Sequence, residues 1–466
     1  MSMLNIGTSA LLTSQGALTT TSHNISNVNT EGYSRQRALL GTQLATNNGN
    51  NYYGSGVQIN SIERLMDSFL VDQVRTYTSQ ESQQATYLSF ARQADDLLGS
   101  PQLGLNTGME EFFNAVHEVA NDPTSIAARE VMISQGEVLA KRFNVLDQQM
   151  KNFDSQVDDA IAGGVSDINV IAQGIADLNR AIVTNTSSSG GAPNDLLDQR
   201  DKLINDLSKY VSISTVKEDS GSLNVFIGTG QAIVTGVGAI KLSVIPDNSS
   251  SPPRSKVGYG PGGIDISAQL TGGTIGGAFQ VRTEVIDPAR AELNQLAFSM
   301  ADAFNTQNLA GVDLDGNAAT SPANLFFGDL SAVPPDQYAS AIKVVMTDPK
   351  KIAASSSTSA AVGNNENILK LADLQTVKTM AGGTQTFASS YGVLVAKVAT
   401  KTHQADIGQQ TQQGLLNQVK LKADSVAGVN LDEEAANLIK YQQAYQAASQ
   451  IITVSNTVFN SLINAF

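Results

Sequence analysis

Apolar side chains recur every seven residues at both ends of the chain, and the two patterns match. From Val429 to Phe466 there is neither Gly nor Pro. Leu431, Leu438, Tyr445, Ile452, Phe459 and Phe466 form one row there, with Ala444, Ile451, Val458 and Ala465 beside it. This predicts a helix roughly 55 Å long at ~1.5 Å per residue, and the seven-residue repeat favours left-handed supercoiling. Leu4, Leu11, Leu18 and Ile25 share the spacing at the other end. The alternate seam positions there, Gly7, Ser14, Thr21 and Val28, are mostly small or polar, so this stripe is thin. Eleven of the first thirty residues are Ser or Thr and none is charged, which is too weak in helix propensity to hold a helix alone. Burying two such stripes falls short of the cost of ordering both ends. The expectation is a pair that is mobile in a monomer and becomes helical in an assembly.

Between the ends the longest periodic pattern is Leu139, Phe143, Leu146, Met150, Phe153, Val157, Ile161, Val165, Ile168, Ala172, Ile175, Leu178 and Ile182, stepping by three or four. That is a helical seam, and Gly163-Gly164 predicts a break between two helices. Residues 63–80 begin another helix, 291–308 form one behind Asp287-Pro288, and helix resumes near 364–382 and over 387–422. VSISTV (211–216), SLNVFIG (222–228) and AIKLSVIP (239–246) are β-branched and apolar between glycine turns, which predicts strands. All twelve prolines lie between Pro101 and Pro349, leaving the ends free of helix breakers.

The fold class is therefore mainly α with an inserted β domain, nested so that the N- and C-terminal helices pair as a coiled coil. Residues 1–37 and 428–466 make the terminal unit. Residues 38–208, 287–310 and 355–427 make a helical body, 209–286 the β domain, and 311–354 a turn-rich loop or reduced subdomain.

Composition narrows the function. Forty-three Asp and Glu against 29 Lys and Arg leave a formal net charge of −14. A polyanion needs phosphate-neutralising cations, so nucleic acid is an unsuitable partner. No apolar run reaches the ~20 residues that span a bilayer, so no membrane insertion is expected. The absence of cysteine removes thiolate chemistry and disulfides together. The first residues, MSMLNIGTSALLTSQGALTTTSHN, lack a basic n-region and a continuous apolar stretch, unlike a secretory signal peptide.

Candidate chemistry is sparse. His23, His117 and His403 share no spacing. His117-Glu118 begins an HExxH pattern, but Asn121 stands where the second histidine belongs. DLDGN (313–317) starts like a calcium loop, yet its Gly316 is fourth rather than sixth and Asn324 occupies the twelfth place, so a turn is expected. YGPGG (259–263) and TGGTIGG (271–277) lack the lysine of a phosphate loop and are expected to punctuate β-hairpins. No GxSxG elbow occurs. Asp158-Asp159 and Glu433-Glu434 sit on helical stretches, where a solvated face is the expectation. These features predict no enzyme, no cofactor and no metal site.

One stretch stands apart. In NISNVNTEGYSRQ (24–36), Asn24, Asn27 and Asn29 suit a helix end and Glu31-Gly32 a left-handed turn. Arg35 and Arg37 are the first basic residues. With the two preceding residues, SHNISNVNTEGYSRQ resembles the N-terminal signature of the bacterial flagellar rod, hook and hook-associated proteins, carried by Asn24, Asn27, Asn29, Gly32, Tyr33 and Arg35. GYSRQ in particular resembles the hook-associated protein 1 family. SGVQINSIERLMDSFLVDQVR, with Arg64, Asp67 and Phe69 in order, APNDLLDQRDKLINDLSKYV (192–211), SMADAFN (299–305) and the C-terminal stretch 428–463 are similar to further segments of that family. Glu31 departs from the proline expected in many relatives, and the chain looks short over 310–360.

The resemblance implies a structural protein of the extracellular flagellum at the junction of hook and filament, exported through the type III apparatus without a cleavable signal. Its implied partners are further copies of itself, the hook protein, the second hook–filament junction protein, and a cytosolic export chaperone on the C-terminal helix. The implied subunit contacts are Leu4, Leu11, Leu18 and Ile25 with Leu431, Leu438, Tyr445, Ile452, Phe459 and Phe466. The alternatives are a hook or distal rod protein, then a secreted adhesin or wall hydrolase.

Overall fold

The computed structural model describes residues 3–48, 51–189, 193–249, 253–360 and 362–465. Helix α1 (Met3–Ser26) leads into a turn in which Gly32 takes a left-handed conformation, φ 82°. The chain then forms an antiparallel ribbon that the periodicity did not predict. Strand β1 (Gln36–Thr42) pairs with β4 (Val57–Arg64), and β2 (Thr46–Asn48) with β3 (Asn51–Tyr53) at the tip. A shift in register between Leu39 and Leu40 breaks the two-residue alternation that would have revealed it. Glu63 and Arg64 thus end a strand. The helix expected from 63 begins at Ser68, as α2 (Ser68–Leu98), because the Asp67 side chain caps it by accepting from the Phe69 and Leu70 N–H groups.

The body is built on α2, α3 (Leu105–Asn121), α4 (Ile126–Ser189) and α5 (Asn194–Ser208). α4 is one helix of 64 residues, about 95 Å at ~1.5 Å per residue. It passes through Gly163-Gly164 without the predicted break. The reason is packing: a Cβ on Gly164 would stand 3.0 Å from Ile275 Cγ1, so the missing side chain makes room for a neighbour instead of ending the helix. Most of the 139–182 seam is fully buried, including Leu139, Phe143, Leu146, Met150, Val157, Ile161, Ile168 and Ile175.

The β module follows. β5 (Ile213–Lys217), β6 (Leu223–Ile227), β7 (Gln231–Thr235) and β8 (Gly238–Ala239) form one antiparallel sheet, and β9 (Leu242–Asp247), β10 (Arg254–Tyr259) and β11 (Ile264–Asp265) another. AIKLSVIP is split between the two. YGPGG makes the β10–β11 turn, as expected. TGGTIGG does not: it opens α6 (Gly273–Val281). Gly273 adopts φ 59°, and a Cβ there would lie 2.1 Å from the Tyr210 carbonyl carbon. The glycines let this helix slide against the Tyr210 turn.

α6 runs through a π turn into α7 (Asp287–Leu309). Asp154 and Asp158 on α4 clamp this part of the chain. Arg254 Nε and Arg282 Nε lie 2.6 and 2.7 Å from the two Asp154 oxygens, and Asp158 Oδ1 accepts from Arg282 Nη2 at 2.6 Å and Ser255 N at 2.7 Å. Asp158 therefore belongs to a largely buried ion cluster, contrary to the solvated face expected, because its partners come from distant segments.

Residues 311–354, with the short α8 (Tyr338–Ala341), are strapped to the core by side chains that imitate backbone. Asn305 serves Phe326 N, Phe327 N and Phe327 O; Asn308 serves Asn324 O and Ala353 N; Asn294 serves Ala339 N and Asp336 O. Arg129, buried on α4, donates to the carbonyls of Pro123, Pro349 and Ile352. Phe112, Phe304, Phe326 and Phe327 meet beneath the strap with ring centroids 4.9–5.9 Å apart. In DLDGN, Asp313 pairs with Lys351 Nζ at 2.8 Å. The helix expected over 364–382 is only α9 (Glu366–Asp373). The chain closes with α10 (Phe387–Ala427), antiparallel to α2, and α11 (Leu431–Ile463), antiparallel to α1.

Candidate functional site: the terminal helical pair and its anchor

The α1–α11 pair is held by small residues. The buried positions of α1 are Gly7, Thr13, Ser14, Ala17, Thr20, Thr21 and Asn24, and those of α11 are Glu434 and Ala448. A Cβ on Gly7 would stand 3.0 Å from Ile452 Cγ1, so glycine is what lets the helices approach here. The row that looked thin in the sequence, Gly7, Ser14 and Thr21, is thus buried, with the close approach seen at Gly7. The ribbon covers another part of α1: Thr13 Oγ1 donates to Val57 O at 3.2 Å, and a Cβ on Gly16 would collide with Ile59.

The predicted interface residues lie around this seam. Leu11, Leu18, Ile25, Leu438 and Ile452 are half-buried, while Leu4, Leu431, Tyr445 and Phe459 are exposed, Phe459 at 62%. Phe466 lies outside the described residues. Met3 and Leu12 on α1, and Ile439, Ile451, Val454, Val458, Leu462 and Ile463 on α11, are exposed as well. The pair in one chain leaves a long apolar surface uncovered.

The signature residues gather where this pair meets the body. Asn24, 1% exposed, uses both ends of its amide. Its Nδ2 donates to Gln36 O at 2.9 Å and to Glu434 Oε2 at 3.1 Å, and its Oδ1 accepts from Gln36 N at 2.9 Å and Tyr33 OH at 2.7 Å. Asn27 closes the helix end, its Nδ2 donating to His23 O at 3.0 Å, and it accepts from Thr30 Oγ1. Asn29 and Gly32 are exposed turn residues. Arg35 Nε lies 2.7 Å from Glu434 Oε1 and Nη1 2.6 Å from Glu433 Oε2, while Arg35 N donates to Ala427 O at 2.8 Å. Burial works against the Arg35 charge, but the bonds to Glu433 and Glu434 outweigh it and hold its pKa above the ordinary value. Burial, with the Asp195, Asp198 and Glu434 carboxylates nearby, pushes the Tyr33 phenol well above the usual range. Glu434, expected on a solvated face, is 2% exposed. Its partner is brought from the opposite end of the chain.

Sequence reasoning missed the role of DLLDQRD, which was singled out only as a matching segment. It forms α5, and α5 meets the signature. Asp195 Oδ1 accepts from Gln36 Nε2 at 3.0 Å and lies 3.3 Å from His23 Nε2. Asn194 Nδ2 donates to Gln36 Oε1 and Ile62 O. Asp198 and Asp201 receive Arg64, and Asp201 also Arg75. The spacing Asn194, Asp198, Asp201, Asn205 puts four polar groups on one helical face, a stripe readable at four–three–four steps. Arg200, whose pKa burial lowers, faces the other way, donating to Asn179 Oδ1 and Gly221 O.

This chemistry joins segments; it transfers nothing. His117 Nε2 rests 3.1 Å from Gln375 Oε1. Among the described residues no group of three or more His, Asp or Glu is placed to hold a metal ion. Among the described residues no helix is long and apolar enough to cross a membrane.

A family model described as the flagellar hook-associated protein FlgK helical domain matches residues 91–326, just over half of the chain. Across 544 aligned positions the chain is 30% identical to flagellar hook-associated protein 1 of Escherichia coli strain K12, covering 99% of both. The chain belongs to the flagellar hook-associated protein 1 family. The family is structural, without catalytic activity. Hook-associated protein 1 of Bacillus subtilis strain 168 is 26% identical over 98% of this chain. The flagella basal body rod protein model matches residues 4–33, and the flagellar basal body rod FlgEFG protein C-terminal model matches 423–465, the segments that hold α1 and α11. The structure of the flagellar hook junction protein FlgK from Burkholderia pseudomallei shares the fold, with a TM-score of 0.68 over 76% of this chain and all of that one, at 19% identity. The span aligned with the Escherichia coli hook-associated protein 1 is longer than the 466 residues here, so that relative carries positions without a counterpart in this chain.

Proposed function

We propose that this chain is the structural subunit that joins the flagellar hook to the filament, assembling through its terminal helical pair after type III export without a cleavable signal. The observation that carries the reading is the uncovered apolar surface of α1 and α11 on a pair whose polar anchor to α5 lies at one end. A surface of that extent on a single chain wants partners. Copies that contact head to tail through different surfaces build helical arrays or rings instead of closed dimers.

In this reading residues 1–37 and 428–466 form the assembling unit. Leu4, Leu11, Leu18, Ile25, Leu431, Leu438, Tyr445, Ile452, Phe459 and Phe466 supply apolar contact within it and to neighbouring copies. The helical body and the β module form the outer layers, with 311–354 a reduced remnant of a larger outer part. The hook protein and the second junction protein bound it on either side along the axis. Before export a cytosolic chaperone covers the apolar C-terminal helix, and the mature site is extracellular.

Electron microscopy of cells lacking the gene, with an assay for flagellin in the medium, tests the reading. Finished hooks without filaments, and flagellin lost outside, are expected. Missing hooks would move the protein to the rod or hook, and normal filaments would overturn the assembly role.

A further inference from the structure

Taken together with the β1–β4 ribbon that lies on α1, the terminal pair joins the body through two chain connections, residues 65–67 and 427–430, and meets it at the face of α5. Beside the first connection lies a cleft of about 380 Å³, lined by Gly32, Tyr33 and Ser34 on one side and Met66, Leu70 and Val71 on the other. The cleft separates the two sides at this point, so the join there leans on polar contacts. Something polar must set the direction of the pair.

α5 is placed to do so. Ile204 and Leu207 are fully buried in the body, and Arg200 ties the helix to Asn179 of α4. Its outward stripe meets the signature turn and the ribbon at one end and Arg75 of α2, in the body, at the other. Asn194 takes Gln36 and Ile62; Asp198 takes Ser34 and Arg64; Asp201 takes Arg64 and Arg75; Asn205 takes Arg75. Asp198 is the one group in this ladder whose two oxygens receive the two different segments that carry the terminal pair. Oδ2 accepts the Ser34 N–H at 3.0 Å, on the connection from α1, and Oδ1 accepts Arg64 Nη1 at 2.7 Å, at the end of the ribbon that lies on α1. The carboxylate and the guanidinium are each less than a tenth exposed, so solvent does little to screen or replace the bond.

We infer that the α5 stripe sets the angle between the terminal pair and the body, with Asp198 as the positioning residue. Its consequence for the junction rests on the function proposed above: subunits whose terminal pair points in one direction can stack in register, and subunits that swing cannot. The angle itself is a property of the isolated chain.

The natural absence of cysteine makes the test direct. Thr19→Cys on α1 and Gln156→Cys on α4, both at exposed positions, carry a pair of spin labels in the full chain, and pulsed electron–electron resonance reads the distance distribution. The parent is expected to give one narrow distance. Asp198→Ala and Arg64→Ala should each broaden it several-fold, and the double variant by less than the two effects added, because the Asp198–Arg64 bond is common to both. Asp198→Asn, which keeps an acceptor for Ser34, should fall between. Lys350→Ala, which removes an exposed ion pair with Asp315 in the 311–354 segment, should leave the distance unchanged. Arg64→Ala carries the test if Asp198→Ala fails to show native helical circular dichroism. A parent distribution already broad, or an Asp198→Ala distribution as narrow as the parent, overturns the inference whatever the protein's place in the flagellum.

Discussion

The body and the terminal pair are both helical, yet they are stabilised by opposite means. In the body, large side chains vanish from solvent: Phe112, Phe304, Phe326 and Phe327 are 0–1% exposed and touch one another from three separate segments. In the terminal pair the buried residues, apart from Asn24 and Glu434 at the anchor, are glycine, alanine, serine and threonine, and the leucines, isoleucines and phenylalanines stand at the edge or in solvent. Apolar burial of the order of 25 cal/mol per Å² therefore accrues to the body within one chain, and to the terminal pair only when something covers it. A region built this way is marginal alone and adhesive in company.

The sharpest break of that contrast is Phe326→Ala. Removing a fully buried ring should cost about 3–5 kcal/mol, read as a lower denaturant midpoint for the body at unchanged slope. Arg129→Met should follow, at about 1.5–3 kcal/mol, because two strap carbonyls, Pro349 and Ile352, and that of Pro123 lose a charged donor in the interior. Hydrogen exchange should locate its effect in 311–354 and around Pro123.

Gly7→Leu tests the other region. Overpacking against Ile452 should cost about 1–3 kcal/mol locally, exposing α1 and α11 to exchange while the body midpoint stays put. Phe459→Asp should change the monomer by no more than about 0.5 kcal/mol and still abolish assembly of junctions in cells. Normal junctions from that variant would remove the C-terminal stripe from the contact. Leu11→Asp should likewise prevent assembly while the β module stays folded.

The smallest effect is a pH dependence confined to the strap. Burial alone would raise the Asp313 pKa, but Lys351 and the Asn317 N–H outweigh it and the pKa is lowered. A lowered folded value means the contribution is fully present above the ordinary carboxylate range, near pH ~4, and is lost as pH falls through the folded value. Proteolysis of 311–354 should accelerate on acidification in the parent, and this acid step should be absent in Asp313→Asn.

Much of the helical plan was legible from periodicity. The 139–182 seam, the helices over 291–308 and 387–422, and strands in 213–217 and 223–227 all follow from repeats of three to four or of two residues within a short window. Of the anchor, the segments were legible and their meeting was not. NISNVNTEGYSRQ, DLLDQRD and the Glu433-Glu434 pair each stood out, but nothing along the chain says that Asp198 receives Ser34 or that Glu434 receives Arg35.

The sequence by itself determined which stretches are helical and which apolar stripes they carry, because those depend on neighbours a turn away. Tertiary structure alone decided what each exception is for. Gly164 makes space for Ile275 instead of breaking α4, Gly273 admits the Tyr210 turn, and Glu434 is buried and Asp158 partly so because guanidinium groups arrive from far along the chain. The physical reason is the same in each case: the cost of a missing side chain or a buried charge is set by the atoms that come to face it, and those are chosen by the fold, not by the local pattern.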